Sequence, residues 1–222
     1  MKSAHLASLL GFNGGFVDTA GFLGLDGLFV AHVTGNLVTL GAALVFGTHG
    51  IVSKVVALPE FVIVIILAHL AGGALALRGW PALRILLGAK VVFLLVFFWL
   101  AVALGPFPDS DVPAALLTGF AGVAAMAVQN AIQRSQLASL PPTNIMTGNT
   151  TQVALDVADL LRGVEPAQAA IIRGRLARTG RAILYFVAGS ATGALLYALV
   201  GFWCLAVPVV VGSASALLRL ED

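Results

Sequence analysis

The chain has 222 residues, of which 59% are hydrophobic and 10% charged, and its mean hydropathy is +1.02. A soluble domain carries roughly 25% charged residues, so this chain has too little polar surface to cover a core in water, and lipid must cover much of its outside. The net charge of +2, without a long basic helix or interleaved aromatic and basic residues, excludes a nucleic-acid partner. The single cysteine, Cys204, excludes an internal disulfide and a cysteine-built metal centre, and its place in an apolar run reads as a small buried residue.

A spanning helix needs about 20 mostly apolar residues. The first such run, 4–24, follows Lys2; Asn13 and Asp18 interrupt it and no small-residue cleavage site follows, so it reads as a retained span and not a signal peptide. "GLFVAHV" (27–33), rich in β-branched and aromatic residues, predicts an extended stretch, and the apolar run 36–46 after it is too short to cross. Spans 58–77 and 83–104 follow; Pro106 and Pro108 mark a turn, and Pro113 opens a span over 113–134. "LPPTNIM" (140–146) is again extended, 149–161 is a second short helix, and spans 181–200 and 201–218 complete the chain. Each short helix would reach about 16–20 Å at about 1.5 Å per residue, half a membrane.

The order span, extended piece, half-helix, span, span therefore occurs twice, over 1–105 and 106–222, an internal repeat of about 110 residues within a single membrane domain. "AHVTGN" (31–36) answers "NIMTGN" (144–149), "VDTA" (17–20) answers "VQNA" (128–131), and "LAGGALAL" (70–77) answers "VAGSATGALL" (187–196). If each half-helix returns to the side it came from, each repeat crosses three times and the two are inverted. With the N-terminus inside, all but Lys54 of the 12 Lys and Arg are then cytoplasmic, and "PDSD" (108–111) is outside. If the extended piece and half-helix together cross, there are eight spans in parallel repeats, and Arg78, Arg84, Lys90 and Arg134 move outside. The charge rule favours the inverted arrangement: an all-α membrane protein whose repeats each have three transmembrane helices, one re-entrant extended segment and a half-helix.

The residues that recur also carry a likeness. Gly15, Val17, Asp18, Gly27, Phe29, Ala31, Val33, Thr34, Gly35 and Asn36 fit the N-terminal signature of the YoaK-like family of bacterial membrane proteins, and Gln129, Asn130, Ala131, Thr147, Gly148 and Asn149 fit its second signature. The chain resembles that family over nearly its whole length; Thr19 departs from it, where a small residue is the pattern. The resemblance implies a bacterial integral membrane protein of about six spans; the charge rule then sets it in the inner membrane with N- and C-termini cytoplasmic. The resemblance brings no substrate.

Irregular backbone at membrane depth must face protein or a wet cavity. A half-helix that starts there exposes N–H groups and a partial positive charge; Thr and Asn can cap it, and Gly lets a ligand approach. Two inverted starts would form a central site of Thr34, Gly35, Asn36, Thr147, Gly148 and Asn149 for a small anionic or carbonyl-rich solute, with Asp18, Gln129, Asn130 and His32 nearby, as in several secondary transporters. The same tripeptides could instead be buried turns. Asp18 is either a proton or cation coupling site or a brace for the first loop. Gln152, Asp156 and Asp159 share a helix face and either line a vestibule or pair with Arg162 and the basic loop 162–181, which touches anionic lipid heads. His5 and His69 read as structural or interfacial and His49 as a loop residue; no metal-binding spacing and no cofactor pattern is present. Gly72 with Gly73 and Gly189 with Gly193 offer small-residue faces for packing within the protomer or in a homodimer. The leading expectation is a transporter or channel-like permease, not an enzyme. An intramembrane enzyme using Asp18 and His32, or an accessory membrane protein, is the alternative.

Overall fold

The apolar runs become helices because lipid offers the backbone no hydrogen bonds, and a helix satisfies its own. In the computed structural model, which describes residues 3–217, these helices are α1 (Ser3–Gly24), α2 (Gly35–Phe46), α3 (Ile51–Leu77), α4 (Ala82–Leu104), α5 (Pro113–Ser135), α6 (Met146–Arg162), α7 (Pro166–Val200) and α8 (Ala206–Leu217), with a 3-10 segment, Gly201–Leu205, joining the last two. No strand occurs among the described residues. By length and composition α3, α4, α5 and the stretch Pro166–Leu217 can each cross a membrane. Lys2, Arg219 and residue 218 of the expected last span lie outside the described residues.

Several boundaries differ from the sequence reading. α3 starts at Ile51, not 58, because "IVSKVV" joins the helix once Asp111 accepts the N–H groups of Val52 and Ser53 at 3.1 and 2.8 Å. The basic stretch 162–181 is no loop. It is the first part of α7, which opens at Pro166 and runs 35 residues, because its arginines project from the helix without interrupting it. The last span begins with the 3-10 segment, and α8 itself is 12 residues. Lys90, counted above with the cytoplasmic charges, sits within α4 and is fully buried.

α1, α5, α4 and α8 form a ring, each packed on the next. α3 leans on α5 from outside and carries α2; α7 leans on α1 and carries α6. α1 and α7 run alongside in the same direction. Gly11 lies at Tyr185, Gly15 at Phe186 and Ser190, and Gly24 at Tyr197 and Phe202. A Cβ on Gly189 would collide with the Phe12 carbonyl, and one on Gly193 would press on the Phe16 backbone. The Gly189–Gly193 face is thus used within the protomer, whereas Gly73 faces open space.

Two apolar clusters fill the ring. One contains Phe16, Val17, Leu94, Phe97 and Met126, the other Leu6, Leu10, Leu86, Leu87 and Ile132. At the first cluster's end of the bundle, Lys54 Nζ donates to the Asp26 carbonyl at 3.4 Å, and Ser53 meets Ser110 at 2.9 Å. Arg134, Arg175 and Arg178 gather at the other end, around one cavity.

Candidate functional site

Between α1 and α2 the chain crosses α5 at Gly119 and Gly122, which receive Leu28 and Val30. Between α5 and α6 it crosses α1 at Gly14, which leaves room for Asn144 and Gln129. Neither short helix is capped by a side chain: Thr34 and Ile145 occupy the cap positions without a capping bond. The expectation that Thr and Asn cap these starts is therefore corrected, because the asparagines are committed elsewhere. Asn36, fully buried, reaches seven residues back, donating to the Phe29 carbonyl and accepting its N–H, both at 2.8 Å. Asn149 also reaches seven residues back, donating to the Pro142 carbonyl at 2.8 Å. α6 starts at Met146, three residues ahead of Asn149, so Asn149 lies inside the helix.

Asp18 braces the first crossing. One oxygen accepts the N–H groups of Ala31 at 2.6 Å and His32 at 3.2 Å, and the other meets His32 Nδ1 at 2.6 Å. The carboxylate fixes the orientation of the His32 ring through Nδ1 and leaves Nε2 away from it. Its ring stands edge-on to Phe186 at 5.6 Å. Gln129 braces the second crossing, donating to the Leu10 carbonyl at 2.9 Å and to Asn144 Oδ1 at 2.9 Å. Asn130 turns back to the Met126 carbonyl of its own helix.

The two crossings meet at a cavity of about 300 Å³. Its lining includes His32, Thr34, Asn130, Asn144 and Thr147, closed by Leu58, Phe61 and Ile145. Of the ten residues singled out in the sequence, four (His32, Thr34, Asn130 and Thr147) line this cavity. Asp18 and Gln129 hold its walls from behind, and Asn36 ties down the first crossing. Gly35 packs against the Phe29 ring, where a Cβ would come within 3.2 Å. Gly148 and Asn149 line a neighbouring cavity of about 460 Å³, together with Arg134, Gln152, Arg175 and Arg178. A third, of about 300 Å³, holds Asn130, Arg134 and His69. Ile145, 44% exposed, belongs to all three.

The sequence reading passed over Ile145, Asn144 and the arginine cluster as site features. An isoleucine carries no chemical signal, and the sequence places Arg175 and Arg178 in a loop and Arg134 at the end of a span, with nothing to bring them together. Asp156 is buried and takes Arg175 at 2.6 Å and Gln152 at 2.8 Å, while Asp159 pairs with Arg162 at 3.2 Å. Among the described residues Arg134 and Arg178 carry no ion pair.

Apolar helices of spanning length, packed around buried carboxylate, amide and hydroxyl groups, define an integral membrane protein. The chain belongs to the family described as "Protein of unknown function (DUF1275)", which it matches over residues 6–218. It is similar to the UPF0700 transmembrane protein YoaK of Bacillus subtilis (strain 168), at 29% identity over 196 residues, covering 87% of this chain and 82% of that one. No solved structure matches it.

Proposed function

We propose that this protein is a permease of the bacterial inner membrane for a small anionic or carbonyl-rich solute, bound where α2 and α6 begin. The carrying observation is the cavity of about 300 Å³ in which residues 31–34 and 144–147 meet. α2 leads from it toward Asp26, His49 and Lys54, and α6 leads toward Arg175, at the other end of the bundle. Two short helices that start at one point and leave in opposite directions make each of them re-entrant. The fold is then six crossings in two inverted repeats.

Exchanging the halves preserves the neighbours, which supports this reading: α1 on α7 answers α5 on α3, α2 on α3 answers α6 on α7, and α4 on α5 answers α8 on α1. Gly119 lies by Leu25 and Leu28 while Gln129 reaches Leu10, so α1 and α5 run oppositely. With the arginine-rich end cytoplasmic, the positive-inside rule holds without Lys90. Both termini are then cytoplasmic. The starts of two helices offer an anion their partial positive charge. Thr34 and Thr147 supply hydroxyls, and the unpaired Arg134 and Arg178 draw anions into the cytoplasmic vestibule. Ile145 stands between vestibule and central cavity and is the natural gate for alternating access.

Uptake into liposomes carrying the purified protein tests the reading, with labelled phosphate, sulfate and small carboxylates as probes. Thr34→Val with Thr147→Val should reduce uptake about thirtyfold, since each removes a hydrogen bond of about 1 kcal/mol. If none of the probes moves, or the double variant transports normally, the site fails. Asn36 and Asn149 are unsuitable for this test, because they hold the backbone.

A second reading, an intramembrane enzyme, draws on the 2.6 Å Asp18–His32 pair beside a cavity that also holds two threonine hydroxyls. There Asp18 orients His32 as a general base. Fluorophosphonate labelling of Thr34 or Thr147 that disappears in His32→Phe would carry it; no labelling removes it.

A further inference from the structure

Three helices of the ring carry a buried polar residue at the boundary between the two apolar clusters. On α1, Asn13 stands between Leu10 and Phe16; on α4, Lys90 between Leu87 and Leu94; on α5, Gln129 between Met126 and Ile132. Each of the three is 0% exposed. Lys90 Nζ has no hydrogen-bond partner, and neither has Asn13 Oδ1 or Gln129 Oε1.

The orientation of the two amides is set by their nitrogens. Asn13 Nδ2 donates to the Pro208 carbonyl at 3.1 Å and Gln129 Nε2 to the Leu10 carbonyl at 2.9 Å, so both oxygens are left without a donor. An ammonium has three donors and no acceptor. The layer thus holds surplus acceptors on α1 and α5 and surplus donors on α4. α8 brings the level together: a Cβ on Gly212 would lie 3.4 Å from both Asn13 Nδ2 and Val91 Cγ2, and Val91 adjoins Lys90.

No acid on the helices around Lys90 bonds to it. The titratable groups on the elements packed against α4 are Lys54, Glu60 and His69 on α3, Arg134 on α5 and Cys204 in the 3-10 segment; α8 has none. His69 and Arg134 are exposed and line the outer cavities, and Lys54 is held at the far end by the Asp26 carbonyl. Glu60 lies beyond the level of Lys90: Gly72 faces Leu86 across the α3–α4 hairpin, which sets Lys90 near Ala68, about two turns away. α4 itself carries Arg84, and α1 carries His5 and Asp18, whose carboxylate is taken up by Ala31 and His32, so Lys90 is buried in a membrane protein with no hydrogen-bond partner among the described residues.

We propose that Lys90 is a proton-binding site inside the membrane, its ammonium held through water by Asn13 Oδ1 and Gln129 Oε1. The step breaks one N–H bond of the ammonium and forms one O–H bond on water, leaving a neutral amine and a hydronium ion; the reverse step reloads the site. Joined to the permease reading it makes the proton the coupling ion, but it stands or falls on the lysine itself.

The chain has only three lysines, Lys2, Lys54 and Lys90, so protein grown with lysine labelled with 13C at Cε and studied in detergent gives three side-chain signals. Lys90→Met assigns one; if that variant does not fold, Lys2→Arg and Lys54→Arg assign the other two. The Lys90 signal should move between its ammonium and amine positions as pH is taken from about 5 to about 10, the range in which buried lysines titrate. In Asn13→Leu the midpoint should fall by about one pH unit, because the charged form loses an acceptor. A signal fixed at either position across the whole range overturns the site. An unchanged midpoint in folded Asn13→Leu overturns the role of the amide layer.

Discussion

The two crossings without regular structure, 25–34 and 136–145, are fastened by the same device with different chemistry. In both, an asparagine reaches seven residues back to a backbone carbonyl. Asn36 also accepts the Phe29 N–H; Asn149 has no such partner because Pro142 has no N–H to give. The braces are inverted as well. Asp18, an acceptor, gathers three N–H groups of the first crossing, whereas Gln129, a donor, takes Asn144 Oδ1 and Thr143 Oγ1 of the second. Two crossings can therefore share a geometry while exchanging donor for acceptor, and the exchange leaves one wall of the cavity with an imidazole and the other with amides.

The largest expected effect separates the outer helices. α7 meets α1 backbone to backbone at Gly189, whereas Gly73 of α3 has no neighbour within 4 Å. Gly189→Leu must force the helices apart and should cost more than about 4 kcal/mol, enough to lose folded protein; Gly73→Leu should stay within about 0.5 kcal/mol. Melting in detergent, or recovery of monodisperse protein, reads both. Equal effects would mean that the two outer helices pack alike.

Next is a difference between the half-helices. α2 is apolar and leaves Val38, Leu44 and Val45 exposed, while α6 is pinned to α7 through buried Asp156. Arg175→Met takes the guanidinium away from that carboxylate and should lower the melting temperature of the protein in detergent. The double variant Arg175→Met with Asp156→Leu should recover much of the loss, since no charge is then left unpaired. Failure of the double variant to recover would show that the pair sets the position of α6 and does not merely neutralise it.

The asparagine clasps come third. Asn36→Leu orphans a buried donor and a buried acceptor and should cost about 2–4 kcal/mol; Asn149→Leu orphans one acceptor and should cost about 1–2 kcal/mol. Pro142→Ala should narrow the gap by giving Asn149 a second bond to lose. Equal losses in the two single variants would refute the proline account.

These contrasts also mark what could be read from the sequence. The short helices and the four cavity-lining residues were legible because T-G-N, the D/Q position on the preceding helix and the apolar run lengths are local patterns. The clasp was not. Whether Asn36 caps its own helix or reaches back to Phe29 depends on the path of the turn between them. Lys90 was misplaced because a count along the chain puts a basic residue near a helix start at the membrane surface, whereas its burial depends on which face of α4 meets α5 and α8. The continuity of α7 was hidden by its arginines, which suggest a loop by composition yet sit on an unbroken helix opened by Pro166.

The smallest predicted effect concerns how the two outer helices begin. α7 starts with Pro166, which has no N–H to satisfy, while α3 starts at Ile51 and borrows a carboxylate from the other half: Asp111 accepts the N–H groups of Val52 and Ser53. Burial by itself raises the Asp111 pKa, but the bonds from Ser53 and Val52 outweigh it and hold the carboxyl below its ordinary range. A carboxylate depressed in the folded state contributes stability that is present above its unfolded pKa and is lost as the pH falls through the folded value. Asp111→Asn should thus cost about 1 kcal/mol at neutral pH, the worth of a helix cap. The gap between it and the unaltered protein should close below about pH 4, where the unaltered carboxyl takes up its proton. Melting curves of the two proteins from neutral to acid pH measure this. A gap that stays constant would mean that Asp111 holds α3 by shape alone, and the asymmetry between the two helix starts would then lie in the proline.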